Sequence, residues 1–291
     1  DNCPGPLALV PTPANGSVFG KGTSVVNAVA TDNAGNTATC SFTVNVVDTE
    51  PPVITCPANF SVSTAPNQCG ANVTYNIGVS DNCPGVGVPM LSKISGSFFA
   101  KGTTAVFASV SDAAGNSANC SFSVTVNDTQ APTVNCPANI TVSAEPDSCS
   151  KIVSYVVTAT DNCPGFNVSV SPMAGSMFPV GVTVVTASAN DASSNSAQCT
   201  FTVTVQDLNP PTITCPPDKV VSNQSCPAIV TGIDAFFEDN CPNVQLIWQI
   251  TGATSGAGTG QASGQRFNAG LSTVRNTATD AGSNTSTCTV R

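Results

Sequence analysis

The sequence predicts an all-β chain of tandem two-sheet sandwich repeats, each about 80 residues long. Three observations predict this fold: cysteines recur at a fixed spacing, strand segments alternate polar and apolar residues, and strong helix formers are scarce. Charged residues make up only 9% of the chain, against 41% that are apolar. This balance is typical of a packed β protein rather than of a helical or disordered one.

The repeat is defined by four kinds of cysteine. The first kind precedes a proline and follows a proline-rich linker, at separations of 80 and 79 residues, and comprises Cys56, Cys136 and Cys215. The second kind comprises Cys69, Cys149 and Cys226. The third lies in the motif Asp-Asn-Cys-Pro and comprises Cys3, Cys83, Cys163 and Cys241. The fourth follows an Asp-rich loop and comprises Cys40, Cys120, Cys199 and Cys288.

This spacing divides the chain into four parts. We predict a half repeat over residues 1–48 that holds only the later strands, regular repeats over 49–128 and 129–207, and a divergent repeat over 208–291. The divergent repeat has a Gly-rich insertion at residues 251–264, which could be a cap, a subunit contact or a plain loop insertion. The linkers between repeats are short and rich in proline, so we expect a semi-rigid rod.

Strands are predicted where polar and apolar residues alternate with a period of two, at residues 41–46, 121–126 and 200–205. The apolar segments that precede them, such as 26–30 and 106–110, are expected to cross the core. Turn residues such as Asp112, Gly115 and Asn116 join the two strands. We expect about seven strands per repeat, in a two-sheet sandwich.

Composition also excludes several classes of function. Fourteen cysteines at regular spacing indicate disulfides and hence an extracellular or cell-surface protein. A net charge of −9 leaves no basic surface for nucleic acid, and no apolar run approaches the roughly 20 residues of a membrane span. The chain contains no histidine, which excludes Ser-His-Asp and Cys-His catalysis, and we predict that it is not an enzyme. Because it opens without a signal peptide, we expect a mature product or a segment of one.

Four motifs resemble the hyalin repeat, or HYR module. They are Pro51 to Pro57 around Cys56, Ser80-Asp81-Asn82-Cys83, Gly96 to Thr104 around Lys101, and Asp112 to Asn116 leading into Cys120. The third repeat keeps the same order, with Phe178-Pro179-Val180-Gly181 and with Ser194 in place of the usual glycine. The resemblance covers essentially the whole chain. It implies an immunoglobulin-like fold and an extracellular adhesive or structural role, and the four-cysteine form looks more like that of bacterial surface proteins.

The resemblance also implies a disulfide pairing. It suggests Cys56 with Cys120, which leaves Cys69 with Cys83. The rival pairing, Cys56 with Cys83 and Cys69 with Cys120, stays open because one extended strand lies between Cys69 and Cys83. The equivalent residues expected to form disulfides in the later repeats are Cys136, Cys199, Cys149, Cys163, Cys215, Cys288, Cys226 and Cys241.

Acidic and amide side chains recur at two loops and at each linker. In an immunoglobulin-like sandwich these segments lie at one end, so their oxygens could hold Ca²⁺, which takes 6–8 oxygen ligands. The alternative is that these residues only make turns. The candidate ligands are Asp48, Glu50, Asp81, Asn82, Asp112, Asn116, Asp128, Asp161, Asn162, Asp191, Asp207 and Asp239. No other cofactor is expected.

Together these features predict a structural subunit or shaft segment of an extracellular fibre or surface filament. Its partners would be further copies of the chain, joined head to tail, with the incomplete first repeat receiving strands from a neighbouring copy. Numerous Asn-x-Ser/Thr motifs add covalent glycans as possible partners. The first alternative is an adhesin stalk or binding module that recognises a glycan or a protein. The second is a noncatalytic spacer of a large enzyme.

Overall fold

The computed structural model describes Gly5 and residues 7–222 and 226–291. Cys3 and the Asn-x-Ser motif Asn223-Gln224-Ser225 therefore lie outside the described residues. Every helix or strand assigned in the described part of the chain is a β-strand, which confirms the all-β fold class. The chain forms two compact units, residues 1–130 and 131–291.

The first unit begins with the half repeat, a three-stranded antiparallel sheet in the order β1-β2-β3. Its strands are β1 (Ala8–Thr12), β2 (Gly22–Thr31) and β3 (Thr37–Val46). The predicted alternation continues along β3, but Phe42 is 55% exposed. This sheet therefore presents an apolar side chain that the complete repeats bury, since the equivalent Phe122 is only 4% exposed.

The second repeat completes the first unit with eight strands. They are β4 (Val53–Thr55), β5 (Phe60–Ser63), β6 (Gly70–Asn72), β7 (Gly78–Ser80), β8 (Met90–Leu91), β9 (Phe98–Ala100), β10 (Gly102–Ser111) and β11 (Ser117–Asn127). The main sheet has the order β5-β11-β10-β8, while β4 pairs with β7 and β6 pairs with β9.

The repeat has eight strands instead of seven because its first strand is divided. Strand β4 pairs antiparallel with β7, whereas β5 pairs in parallel with β11. Cys56 and Pro57 lie between the two segments, and proline has no N–H to continue a ladder. The chain thus changes from one sheet to the other at the cysteine.

The third repeat opens the second unit with the same arrangement. Its strands are β12 (Thr133–Asn135), β13 (Ile140–Ser143), β14 (Ser150–Val153), β15 (Thr158–Thr160), β16 (Asn167–Ser171), β17 (Ser176–Pro179), β18 (Gly181–Asn190) and β19 (Ser196–Gln206). The main sheet has the order β13-β19-β18-β16. Strand β12 pairs with β15, and β14 pairs with β17.

The fourth repeat departs from this pattern in its main sheet. Its strands are β20 (Thr212–Thr214), β21 (Ala228–Ile229), β22 (Phe236–Glu238), β23 (Gln245–Gly252), β24 (Gly256–Thr259), β25 (Arg266–Phe267), β26 (Ser272–Thr279) and β27 (Thr285–Val290). The Gly-rich insertion contributes β24, which extends the sheet in the order β24-β23-β26-β27. Gly258 lies against the Trp248 ring, where a Cβ atom would come within 2.4 Å of ring carbon Cζ2.

Each complete repeat has its own apolar core. In the second repeat the ring of Tyr75 lies edge-on to Phe122, with ring centroids 4.9 Å apart, and Tyr155 and Phe201 repeat this contact in the third. Trp248 belongs to the core of the fourth repeat. Because each core belongs to one repeat, the linkers and the loops beside them determine how consecutive repeats join.

Candidate functional site

Three disulfides each close one repeat. Cys56 pairs with Cys120, Cys136 with Cys199, and Cys215 with Cys288, at Cα separations of 5.9, 6.0 and 5.6 Å. This is the pairing that the HYR resemblance implies. Each bridge ties the segment that follows the linker to the last strand of the same repeat.

A fourth disulfide joins two successive repeats. Cys149 of the third repeat pairs with Cys241 of the fourth, 92 residues further along the chain, at a Cα separation of 4.7 Å. The expected pairing of Cys149 with Cys163 is therefore wrong. The backbone from β14 to β15 runs between these two residues, and extended chain rises about 3.3 Å per residue, far beyond the reach of one bridge.

The other cysteines of the second and third kinds also depart from the pairing expected inside their own repeats. Cys69 and Cys163 are disulfide-bonded, whereas Cys40, Cys83 and Cys226 carry no disulfide. The expectation that Cys83 and Cys226 are bridged inside their own repeats is thus wrong, and so is the rival pairing of Cys56 with Cys83 and Cys69 with Cys120. Each of the three unbridged residues has a disulfide-bonded equivalent elsewhere in the chain.

A recurring aspartate turn lies between the last two strands of each repeat. The carboxylate of Asp112 accepts hydrogen bonds from the backbone N–H groups of Ala114 and Asn116, at 2.9 and 2.8 Å, and from the Asn116 side chain. Asp280 and Asn284 form the same turn in the fourth repeat. Asp191 accepts the N–H of Asn195 at 2.8 Å in the third repeat. Turn formation therefore engages the predicted ligands Asp112, Asn116 and Asp191.

The asparagine of this turn also contacts the preceding linker. The Asn116 side chain donates a hydrogen bond to the backbone carbonyl of Asp48 at 3.2 Å, and Asn284 donates to the carbonyl of Asp207 at 3.1 Å. Asn82, in the other loop, donates to the Glu50 carboxylate at 2.8 Å. The loops of one repeat thus hold the linker through which the chain enters it, and the predicted ligands Asn82, Asn116 and Glu50 take part in that contact.

Two groups of acidic ligand atoms form at these linkers within the separate units. Asp48, Asp81 and Cys83 form one group, and Asp207, Asp239 and Asp280 form the other, with the ligand atoms of each group within 4.8 Å of one another. Asp280 was not among the predicted ligands. Its counterpart Asp112 was, so aligning the turn sequences would have identified it.

Among the residues that the structure describes, no lysine or arginine forms an ion pair with the group in the second unit. Asp207 and Asp280 are only 5% and 6% exposed, and one oxygen of Asp207 and one of Asp239 are buried without a hydrogen-bond partner. Burial, reinforced by the nearby carboxylates of Asp207 and Asp280, raises the pKa of Asp239 above its ordinary value. Three carboxylates buried close together repel one another, so this arrangement is unfavourable unless a cation binds them or one of them is protonated.

The group in the first unit differs because a lysine pairs with one of its members, Asp48, although one oxygen of Asp81 is buried without a hydrogen-bond partner. The ammonium group of Lys21 lies 3.0 Å from the Asp48 carboxylate, whose side chain is 1% exposed. Lys101 makes the equivalent ion pair with Asp128 at 3.4 Å. Neither lysine was predicted as a site residue. Each directly precedes the glycine at the start of a long strand, and this shared position is the sequence signal that could have identified them.

The remaining predicted ligands lie in the third repeat. The Asp161 carboxylate accepts the backbone N–H of Cys163 at 3.0 Å through one oxygen, while its other oxygen is buried without a hydrogen-bond partner. The side-chain nitrogen of Asn162 approaches the sulfur of Cys163 at 3.6 Å. A metal role for these two residues remains a prediction.

The fold and its junctions define a disulfide-braced protein of tandem β-sandwich repeats. The family model of the HYR domain matches residues 7–46, 47–126 and 127–205. The chain belongs to the HYR family, as its motifs had indicated. The predicted boundaries of all four repeats remain predictions.

Two sea-urchin proteins named Hyalin are similar to this chain. The one from Strongylocentrotus purpuratus is 41% identical over 212 residues, which cover 69% of this chain and 18% of that protein. The one from Lytechinus variegatus is 36% identical over 230 residues, which cover 76% of this chain and 43% of that protein. The chain thus spans less than half the length of these relatives. They are animal proteins, and the expected likeness to the bacterial form is not borne out.

Solved structures show a more distant likeness. The extracellular cadherin domains 1–4 of protocadherin gamma B7 cover 94% of this chain and 84% of that chain, at 16% identity and a TM-score of 0.36. The human desmocollin-1 ectodomain covers 98% of this chain and 71% of that chain, at 14% identity and a TM-score of 0.28. No functional statement follows from similarity at this level.

Family membership and disulfide content place the protein outside the cell or on its surface. The part of the chain that the structure describes has no helix of the length and hydropathy needed to cross a membrane.

Proposed function

We propose that this chain is a shaft segment of an extracellular fibre or surface filament, in which successive repeats are joined covalently as well as through their linkers. The observation that carries the proposal is the disulfide between Cys149 and Cys241. A bridge inside a repeat stabilises only that repeat. A bridge between repeats restricts bending at the junction, which is a property that a load-bearing shaft requires.

Contacts at the linkers support the same role. Asn116 and Asn284 each hydrogen-bond to a linker carbonyl as well as to the aspartate of their own turn. Such contacts fix the direction in which one sandwich follows another. Oxygen-rich groups at these junctions also support Ca²⁺ as a stabilising ion.

The unbridged cysteines and the half repeat support head-to-tail joining to further copies. Cys226 is equivalent to Cys149, and Cys83 is equivalent to Cys241, so each has the chemistry to bond a cysteine in another repeat. In the half repeat, Cys40 and Phe42 are both exposed, whereas Cys120 is bridged and Phe122 is buried. Strands from a neighbouring copy would cover that face.

The test is assembly of the purified full chain in a glutathione redox buffer, followed by electron microscopy and non-reducing gel electrophoresis. We expect filaments and a ladder of covalent oligomers, with Cys226→Ser reducing the ladder. The matched control is Ser225→Ala, which leaves every thiol in place. Separate single molecules without a ladder would overturn the fibre proposal and favour the adhesin alternative, whose test is binding of the same material to immobilised glycans.

A further inference from the structure

The three linkers of the chain carry the same aspartate but meet different partners. Asp48 and Asp128 have side chains that are 1% and 0% exposed, and each is ion-paired to a lysine, Lys21 or Lys101. Asp207 occupies the equivalent place after the third repeat, and as a whole residue it is 5% exposed, close to the 6% of Asp128. A buried carboxylate of this kind requires a positive partner, because desolvation of an unpaired charge is costly.

The residue at the position equivalent to Lys21 and Lys101 explains why Asp207 has no lysine partner. Lys21 and Lys101 directly precede Gly22 and Gly102, the first residues of β2 and β10. The residue that directly precedes Gly181, the first residue of β18, is Val180, which packs against the core of the third repeat. The third repeat therefore lacks the ammonium group that neutralises the other two linker aspartates.

The oxygen atom of Asp207 that lacks a partner is the one that pairs with lysine in the other two linker aspartates. Lys21 and Lys101 each approach the Oδ2 atom of their aspartate, and Oδ2 of Asp207 is buried without a hydrogen-bond partner. The Oδ1 atom of Asp239 is likewise buried without a partner, and Asp280 contributes a third carboxylate. The Oδ1 atom of Asp207 accepts the N–H of Asn209 at 3.2 Å, which orients the carboxylate.

We propose that a calcium ion takes the place of the missing lysine, bound by Asp207, Asp239 and Asp280 at the junction of the third and fourth repeats. Ca²⁺ binds carboxylate oxygens at 2.3–2.6 Å, so two oxygens on one ion lie at most about 5 Å apart. The ligand atoms of this group lie within 4.8 Å of one another and meet that limit. Carbonyl oxygens and water would complete the 6–8 ligands.

Charge and geometry favour Ca²⁺ over the alternatives. A divalent ion reduces the charge of the three carboxylates from −3 to −1, which a single proton does not. Mg²⁺ requires near-ideal octahedral geometry at about 2.1 Å and keeps much of its water, whereas Ca²⁺ tolerates irregular sets of carboxylates. The inference rests on the proposed function and deepens it, because the ion would bridge the linker and two loops of the next repeat. The inference concerns this one site only.

The experiment is calorimetric titration of the oxidised full chain with CaCl2, in parallel with MgCl2. The test variant is Val180→Lys, which supplies the ammonium group that the other linkers possess, and Val180→Leu is the matched control. We expect Val180→Lys to remove one Ca²⁺ per chain or to weaken that binding at least tenfold, while Val180→Leu binds as the parent does. A second variant, Asp207→Asn, is expected to lose the same site.

Two results would overturn the proposal. One is a parent chain that binds no Ca²⁺, or binds Mg²⁺ more tightly. The other is unchanged binding in both Val180→Lys and Asp207→Asn. Because the titration detects binding in single molecules, it separates failure of this site from failure of filament assembly. Circular dichroism of each variant before titration checks that the β fold is retained, and Asp207→Asn answers the question if Val180→Lys does not fold.

Discussion

Cys149 and Cys241 lie in successive repeats, 92 residues apart in the chain, yet their Cα atoms are separated by 4.7 Å. The side chain of Asn240, next to Cys241, approaches the backbone carbonyls of Glu145 and Ser148 in the third repeat, both at 3.5 Å. The loop that carries the Asp-Asn-Cys-Pro motif thus contacts the turn that precedes Cys149. The disulfide fixes a contact between repeats that hydrogen bonds also support.

Removing this bridge tests its contribution to cooperativity. The double variant Cys149→Ser, Cys241→Ser is expected to leave both sandwiches folded but to let them unfold separately, because the bridge closes a long loop across two repeats. The stabilisation lost should be at most about 4.7 kcal/mol, the value expected for a loop of roughly 100 residues. Urea unfolding followed by the fluorescence of Trp248, which reports on the fourth repeat, measures the change.

The matched control is Cys136→Ser, Cys199→Ser, which removes a bridge inside the third repeat. That variant should destabilise the third repeat and leave the Trp248 transition of the fourth much less affected. Equal shifts of the Trp248 transition in both double variants would contradict a specific role of the inter-repeat bridge.

The linker contact of Asn116 provides a second test. Asn116 closes its turn with Asp112 and also donates to the linker carbonyl of Asp48, whereas Asn36 closes the equivalent turn with Asp32 in the half repeat. We expect Asn116→Ala to cost about 1 kcal/mol more than Asn36→Ala, the typical worth of one additional hydrogen bond. Amide hydrogen exchange of the turn and of the linker measures both variants. Equal protection of the linker in the two variants would show that the contact is not stabilising.

The sequence predicted the repeat and its strands because both follow from local patterns. The alternation at residues 121–126 predicts a half-buried strand, and β11 buries Phe122, Val124 and Val126 on one face. The bridge between Cys56 and Cys120 was also expected, through the family resemblance. These features can be predicted from the sequence pattern within a single repeat.

What the sequence did not predict depends on contacts between repeats. Cys149 was expected to pair inside its own repeat, because both pairings considered used only the four cysteines of a single repeat. Its true partner, Cys241, comes close only when the fourth repeat folds against the third. The different roles of Lys101 and Val180 were likewise visible only once Asp128 and Asp207 were seen to be buried.

The environment of Cys83 predicts a thiol that reacts slowly near neutral pH. Burial, the negative charge of Asp48 and a hydrogen bond to Asp48 raise the pKa of the Cys83 thiol above its ordinary value of 9.0. Because the thiolate is the reactive form, alkylation of folded Cys83 by iodoacetamide should increase at higher pH than alkylation of the same residue in urea. Mass spectrometry of the Cys83 peptide across a pH series measures both states. Identical pH profiles in buffer and in urea would contradict the prediction.

Ser194 predicts a stabilising substitution in the turn of the third repeat. Its backbone has a φ of 71°, in the left-handed region where glycine is favoured, and the equivalent residue of the second repeat is Gly115, with a φ of 93°. A non-glycine residue costs roughly 1 kcal/mol in this region, so Ser194→Gly should stabilise the third repeat by up to about that amount. The reverse change, Gly115→Ser, should destabilise the second repeat similarly, since a Cβ atom there meets no atom within 4 Å and only backbone strain changes. Thermal unfolding of the two variants and the parent measures both effects, and a loss of stability in Ser194→Gly would show that the serine makes a compensating contact.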